Sequence, residues 1–148
     1  MTGREELERR VLEALGWPCP ACARAVAIVL ENPHDRHAFD RAAAALGVNS
    51  RRSLEGRMRK HGFPTLRQLQ DWLRVLALLH GWEAFGHRLQ QQAFNASSEP
   101  AVLWRAVHRV TGLPWSGAQK VGFATWLWRC HTEIGTAVTC GWVGNAQR

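Results

Sequence analysis

The sequence predicts an all-α protein in which two helix-turn-helix subdomains are joined by a long linker helix, with extra N-terminal and C-terminal helices. Apolar residues recur at three- and four-residue spacing along most of the chain, and no stretch has the sustained alternation of a β-strand. A small-residue helix ending at Gly47 is followed by a polar turn and a short basic helix, which is the layout of a helix-turn-helix. A second, weaker copy lies about fifty residues further on, near 99–112.

Four short helices are predicted in the first part of the chain from their periodicity and from the residues at their ends. Pro33 is expected to stop the second helix, because proline cannot continue one. Asp35 and Ser50 are expected to cap the third and the fourth through their side-chain oxygens. The four predicted ranges are 4–15, 21–30, 35–46 and 50–61.

A longer helix is predicted to begin at Thr65 and to end near Gly81. Thr65 and Gln68 have the spacing of a capping box, and a stripe of leucines runs along the helix. Pro100 suits the first turn of a later helix, and Ser116 begins a second sequence with capping-box spacing. The later helices are predicted over 82–93, 100–112 and 116–134, and no structure is assigned from 135 onward.

The charge balance favours a polyanionic partner. Apolar residues make up 46% of the chain and charged residues 21%, which is typical of a globular domain, and the formal net charge is +7. This excess favours DNA, RNA or an anionic membrane surface. The N-terminus lacks the apolar core of a signal peptide and no apolar run is long enough to span a bilayer, so a cytoplasmic location is expected.

The second helix of the first helix-turn-helix is predicted to turn a basic face outward. Leu54 and Met58 lie one helical turn apart and are expected to face inward. The opposite face then carries Arg52, Ser53, Gly56, Arg59 and Lys60. We expect Arg52 to read a base edge, with its fork of donors on guanine O6 and N7. The remaining basic residues are expected to contact phosphates, and these are Arg51, Arg57, Arg59 and Lys60.

Two stretches resemble the halves of an AraC/XylS-type DNA-binding domain, over about residues 24–118. The first is AALGVNSRRSLEGRMRKHG followed by FPTLRQLQDWLRVLALL, and the second is AFNASSEPAVLWRAVHRVTGLP. In that family a helix-turn-helix leads into a long helix with a central arginine, here Arg74, and then into a second helix-turn-helix. Leu103 and Val107 match the paired apolar residues of the second unit, and 111–114 matches its closing segment.

The resemblance implies a sequence-specific, non-enzymatic transcription regulator of prokaryotic type. Each recognition helix would enter a successive segment of the major groove of double-stranded DNA. Groove centres on one face of the duplex recur every ~34 Å, and a linker of about fifteen residues spans ~22 Å. RNA polymerase or another regulatory protein is a further candidate partner. The oligomeric state is left open.

The resemblance also implies a division of the chain and a set of contacts. The division is an N-terminal helical extension (1–23), a first subdomain (24–64), the linker helix (65–81), a second subdomain (82–118) and a C-terminal helix and tail (119–148). The base-reading positions would be Arg52, Glu55 and Gly56 in the first unit and Ala101, Trp104 and Arg105 in the second. The predicted DNA contacts as a whole are Ser50, Arg51, Arg52, Ser53, Glu55, Gly56, Arg57, Arg59, Lys60, Ala101, Trp104, Arg105, His108 and Arg109.

Two alternative functions stay open. One is a protein-interaction module on a helix-turn-helix scaffold, whose basic face serves another acidic partner. The other is a thiol- or metal-dependent sensor or enzyme that uses Cys19, Cys22, Cys130 and Cys140. Cys19 and Cys22 have the spacing of a redox dithiol or of half a zinc site, and His131 could replace one ligand. We expect no cofactor, and zinc is the one candidate metal.

Overall fold

A computed structural model describes residues 2–15 and 20–134 of the 148-residue chain. Over these residues the chain forms nine α-helices and no strand, which confirms the all-α fold class. The helices are α1 (Gly3–Leu15), α2 (Pro20–Glu31), α3 (Ala38–Ala45), α4 (Arg51–Lys60), α5 (Leu66–Phe85), α6 (Leu89–Asn95), α7 (Pro100–Thr111), α8 (Trp115–Val121) and α9 (Phe123–Glu133). The tail from 135, which the sequence left unassigned, lies outside the described residues.

One hydrophobic core joins side chains from all nine described helices, and α5 is its axis. The leucines of α5 at 69, 73, 76 and 79 have no exposed surface. Burying a leucine stabilises a fold by about 1.5–3 kcal/mol, so this stripe accounts for why the chain folds around α5. The helix packs against α1, α2, α6, α7 and α9. No helix in the described part of the chain has the length and apolar character needed to cross a bilayer.

The turn between α3 and α4 closes the end of α3 with two backbone hydrogen bonds. The N–H of Val48 donates to the carbonyl of Ala43 at 2.9 Å, and the N–H of Gly47 donates to that of Ala44 at 3.1 Å. Gly47 has a φ of 71°, which glycine adopts without steric cost. This is a Schellman motif, and it allows α4 to leave at an angle across α3.

The turn between α6 and α7 has the same hydrogen-bond pattern. The N–H of Ser98 donates to the carbonyl of Ala93 at 2.8 Å, and the N–H of Ser97 donates to that of Phe94 at 3.1 Å. Ser97 has a φ of 54° and so stands where Gly47 stands in the first turn. Two helix pairs of the chain are therefore joined by the same kind of turn.

Three predicted helix starts are confirmed. Ser50 caps α4, because its hydroxyl oxygen accepts a hydrogen bond from the N–H of Ser53 at 3.1 Å. Thr65 and Gln68 form both hydrogen bonds of a capping box at the start of α5. Pro100 is the first residue of α7.

The predicted end of the long helix near Gly81 is wrong, and so is the predicted helix over 82–93. α5 continues to Phe85, and the chain next becomes helical at Leu89. Gly81 makes room for Gln92, because a Cβ on Gly81 would lie 2.7 Å from the Gln92 side-chain oxygen. The Gln92 amide uses that space to donate to the carbonyls of Leu78 and His87 at 3.1 and 2.9 Å.

Two other predicted helix starts are wrong. Asp35 does not cap α3, whose N-cap is His37; the Asp35 carboxylate instead accepts a hydrogen bond from the His37 N–H at 2.9 Å. An aspartate side chain that accepts a hydrogen bond from the N–H two residues later forms an Asx turn, which is common before a helix. Ser116 does not open one long last helix, because α8 already starts at Trp115 and the chain bends at Gly122, whose φ is 94°.

Candidate nucleic-acid interface

α4 is divided into a buried side and a basic side. Leu54 and Met58 have no exposed surface and attach the helix to the core. We call the opposite side the α4 face; its exposed residues are Arg52, Ser53, Gly56, Arg57, Arg59 and Lys60, and the half-exposed Arg51 lies at its start. All the basic residues predicted on this helix are therefore at the surface.

Gly56 leaves the backbone open in the middle of the α4 face. A Cβ built on Gly56 would meet no atom within 4 Å. Glycine in a helix interior costs about 1 kcal/mol relative to alanine, and no packing contact with the rest of the protein offsets that cost here. The open backbone is therefore available to a molecule that approaches from outside.

Glu55 joins α4 to the start of α5. Its carboxylate accepts a hydrogen bond from the N–H of Leu66 at 2.7 Å. The N–H groups in the first turn of a helix have no partner within the helix, and a negative charge there also interacts favourably with the helix dipole. Glu55 thus holds the first turn of α5 next to α4.

α7 also turns one side inward and one side outward. Leu103 and Val107 have no exposed surface, and they occupy the fourth and eighth positions of α7 as Leu54 and Met58 do in α4. The α7 face consists of the exposed residues Ala101, Trp104, Arg105, His108 and Arg109. Trp104 is 49% exposed, and an open groove of about 300 Å³ lies along this face.

Two side chains of α5 bind the loop that precedes α3. The Gln70 amide donates hydrogen bonds to the carbonyl oxygens of Pro33 and Asp35, at 3.1 and 2.7 Å. The Nε of Arg74 donates to the same Pro33 carbonyl at 3.0 Å. The first helix pair is therefore attached to α5 through the backbone of this loop.

A third side chain of α5 binds α7. Arg109 donates from Nε and Nη2 to the two carboxylate oxygens of Asp71, at 2.9 and 3.1 Å. The Asp71 side chain is only 7% exposed, so the bridge is shielded from water on one side. The hydrogen bond with Asp71 raises the pKa of Arg109. The α5 helix thus holds both helix pairs within two turns of its length.

Three arginines from three helices lie close together beside this bridge. Burial lowers the pKa of Arg74, and the positive charges of Arg109 and Arg51 act in the same direction while Asp71 opposes them. Arg51 starts α4 and Arg109 lies near the end of α7. The charges of Arg51 in α4 and Arg109 in α7 therefore both act on Arg74 in α5, where the buried Asp71 opposes them.

Sequence reasoning identified Arg74 but missed Gln70 and Asp71. The signal was present, because 70, 71 and 74 are polar positions in a helix that is otherwise rich in leucine. Their partners are backbone carbonyls and a residue 38 positions away, and such contacts leave no local pattern in a sequence.

The described cysteines are in surroundings that suppress thiolate chemistry. Cys22 and Cys130 have no exposed surface, and burial raises the pKa of Cys130 to about 12. Thiolates are the form that binds metals and attacks disulfides. Among residues 2–15 and 20–134 no group of three or more histidine, cysteine or acidic side chains is arranged to hold a metal ion. Cys19 and Cys140 lie outside the described residues.

Comparisons of this chain with models of protein families, with curated proteins and with solved structures give no match. The resemblance to the AraC/XylS-type domain therefore stays a prediction that rests on the residues quoted above.

Proposed function

We propose that this chain is a sequence-specific DNA-binding transcription regulator that acts in a prokaryotic cytoplasm without catalysing a reaction. In this proposal α4 and α7 are the recognition helices, and α5 is the linker that spaces them. The observation that carries the proposal is the α4 face, where a row of exposed basic residues lies opposite the fully buried Leu54 and Met58.

The paired turns support the proposal of two equivalent units. Each recognition helix follows a short helix through a Schellman turn and is attached to the core at its fourth and eighth positions. A repeated unit of this kind would dock on the duplex in the same way twice. The AraC/XylS resemblance assigns the same two segments to that role.

α5 is an element that the two units share. Its residues 70, 71 and 74 hold both helix pairs, so the spacing of the units is set by one helix of 20 residues. The bonds of Gln70, Asp71 and Arg74 keep both units fixed to this helix. Rigid spacing favours binding, because little orientational freedom is lost on the duplex.

Within this proposal the exposed residues have different tasks. Arg52 lies near the start of α4 and reads a guanine edge, whereas Arg59 and Lys60 near its end contact phosphates. Glu55 is engaged with Leu66, so we assign it a positioning role rather than a base contact. On the α7 face Trp104 meets the methyl group of thymine, and Arg105 supplies a charged contact beside it.

Selection of bound sequences from a random DNA pool, followed by gel shifts on the selected DNA, tests the proposal. We expect Arg52→Ala to lose discrimination at one position of the site, by about 1–3 kcal/mol per base pair. We expect Arg59→Ala to weaken binding to all sequences alike and to lower the salt slope by about 1. Arg24 is exposed on α2 and belongs to neither face, and Arg24→Ala is the control with parental behaviour.

Three outcomes would reject the proposal. The first is recovery of no preferred sequence from the pool. The second is binding whose affinity is independent of salt. The third is that Arg52→Ala and Arg59→Ala both bind DNA like the Arg24→Ala control, which would mean that the α4 face is not used.

A second candidate, the protein-interaction module, is favoured by one exposed residue. Phe94 is 83% exposed on α6, directly before the turn into α7. A large aromatic side chain in water is typical of a surface that another protein covers. In a regulator this surface would contact RNA polymerase or a second regulatory protein. Phe94→Ala is expected to leave DNA affinity unchanged and to abolish any effect on transcription in a purified system.

A further inference from the structure

A cavity of about 530 Å³ lies where the start of α5, the end of α7 and the end of α9 meet. Its size is within the range of small-molecule sites, roughly 300–1,000 Å³. Pro64 before α5 and Val110 from α7 are partly exposed and provide its accessible apolar surface, whereas Trp72 and Ile134 are nearly fully buried. Apolar side chains at the surface of a cavity favour a ligand with an apolar body.

Four charged side chains line the same cavity, and two of them neutralise each other. Arg109 and Asp71 form the bidentate bridge described above. Arg67 and Glu133 are the other two, and neither side chain makes a hydrogen bond or ion pair with another residue in the described ranges. Within the described part of the chain, the cavity therefore offers one positive and one negative charge without an ion-pair partner, beside apolar side chains.

We propose that this cavity is a binding site for an apolar α-amino acid in its zwitterionic form. The guanidinium of Arg67 binds the carboxylate, and the carboxylate of Glu133 binds the ammonium group. The side chain of the ligand packs on Pro64 and Val110. A simple carboxylic acid would satisfy Arg67 but would leave Glu133 unpaired, and an amine would do the reverse, so the pair selects the zwitterion.

Calorimetric titration of the full chain without DNA tests this site with four probes. The probes are L-phenylalanine, 3-phenylpropionate, phenethylamine and L-glutamate. We expect L-phenylalanine to bind, and the two analogues that lack one charged group to bind on the order of tenfold more weakly or worse. L-Glutamate is expected not to bind, because its second carboxylate would enter the apolar region.

Two variants assign the charges and a third is the control. In Arg67→Gln the affinity for L-phenylalanine is expected to fall to that for phenethylamine, while phenethylamine binding is unchanged. In Glu133→Gln the affinity for L-phenylalanine is expected to fall to the affinity for 3-phenylpropionate, while 3-phenylpropionate binding is unchanged. Arg24→Gln on α2 carries the same charge change as Arg67→Gln and is expected to bind like the parent. Circular dichroism checks that each variant is folded.

Either of two results would overturn the assignment. If the parent binds 3-phenylpropionate or phenethylamine as tightly as L-phenylalanine, the ligand is not a zwitterion. If no probe gives heat or raises the melting temperature at millimolar concentration, the cavity does not bind this class of ligand.

The site also touches a residue of the α7 face. Because Arg109 lines the cavity, we expect L-phenylalanine to change the affinity for selected DNA, and this coupling alone rests on the proposed function. Calorimetry without DNA separates the ligand site from the proposed regulator function. If L-phenylalanine binds but the chain does not bind DNA, only the regulator function is contradicted. A ligand that binds without altering DNA affinity contradicts only the coupling.

Discussion

Ser97 and Gly47 occupy equivalent positions in two turns. Only Gly47, which has no Cβ, adopts the backbone conformation of this position without steric cost. Their φ angles are 54° and 71°, in the left-handed region. A side chain in that region costs roughly 1–2 kcal/mol because its Cβ crowds the backbone carbonyl oxygen. The second turn therefore carries a strain that the first avoids.

Exchanging these residue types should change stability in opposite directions. We expect Ser97→Gly to raise the free energy of unfolding by about 0.5–1 kcal/mol and Gly47→Ser to lower it by about 1–2 kcal/mol, as measured by urea denaturation. Ser98 follows in the same turn without a positive φ, so Ser98→Gly is the control and should only lose stability. A Ser97→Gly variant no more stable than the parent would show that this turn is not strained.

Single residues also explain where sequence reasoning failed. Gly47 and Gly81 look alike in a sequence, since each follows a helical stretch with apolar periodicity. Gly47 ends a helix through its positive φ, whereas Gly81 stays inside α5 and makes room for Gln92. The distinction depends on a side chain from another helix, so it could not be predicted locally.

α5 is the element on which both helix pairs depend. Its buried leucines could be predicted from their spacing, and so could its capping box. Its polar bonds to the loop before α3 and to Arg109 could not, because they join distant parts of the chain. Sequence reasoning therefore identified the exposed basic face of α4 but not the bonds that hold the helix pairs on α5.

Removing the Asp71 carboxylate should destabilise the protein and weaken the attachment of the second helix pair, α6 and α7, to α5. We expect Asp71→Asn to lower the free energy of unfolding by about 2–4 kcal/mol, because it leaves Arg109 and the half-buried Arg74 without their acid. The Arg109 side chain is 39% exposed, so its own coupling to Asp71 is about 1 kcal/mol.

A double-mutant cycle with Arg109→Gln, measured in urea, separates these contributions. A coupling energy indistinguishable from zero would mean that the bridge does not hold α7. A matched variant at a surface ion pair, Glu13→Gln beside Arg9, should change stability by less than about 0.5 kcal/mol.

At the scale of the whole molecule, the free energy of unfolding should depend on pH through the half-buried His34. The Nδ1 atom of His34 is buried and has no hydrogen-bond partner among the described residues. Burial lowers the pKa of His34 from 6.5 to about 4, and the charge of Arg74 adds to this effect. Burial also lowers the pKa of His80 at the other side of the core.

Both histidines make the protein less stable in acid. Because the folded pKa of His34 is below its unfolded value, the unfolded chain binds the proton more tightly between pH 6.5 and pH 4. The stability present above pH 6.5 is therefore lost as the pH falls to about 4, by on the order of 3 kcal/mol for His34. Urea denaturation from pH 4 to pH 8 measures this slope, and His34→Asn should reduce it. A parent protein equally stable at both ends of that range would contradict the prediction.

The two helix pairs contain the same type of turn, but their exposed faces carry different side chains. The α4 face carries a row of cations around an open glycine, whereas the α7 face carries a tryptophan with two arginines and a histidine. In the proposed complex one chain therefore reads two unlike halves of its site in a set order. The bound protein then has one fixed orientation along the duplex. Inverting its site relative to a gene would therefore turn Phe94 toward proteins bound on the other side of the site.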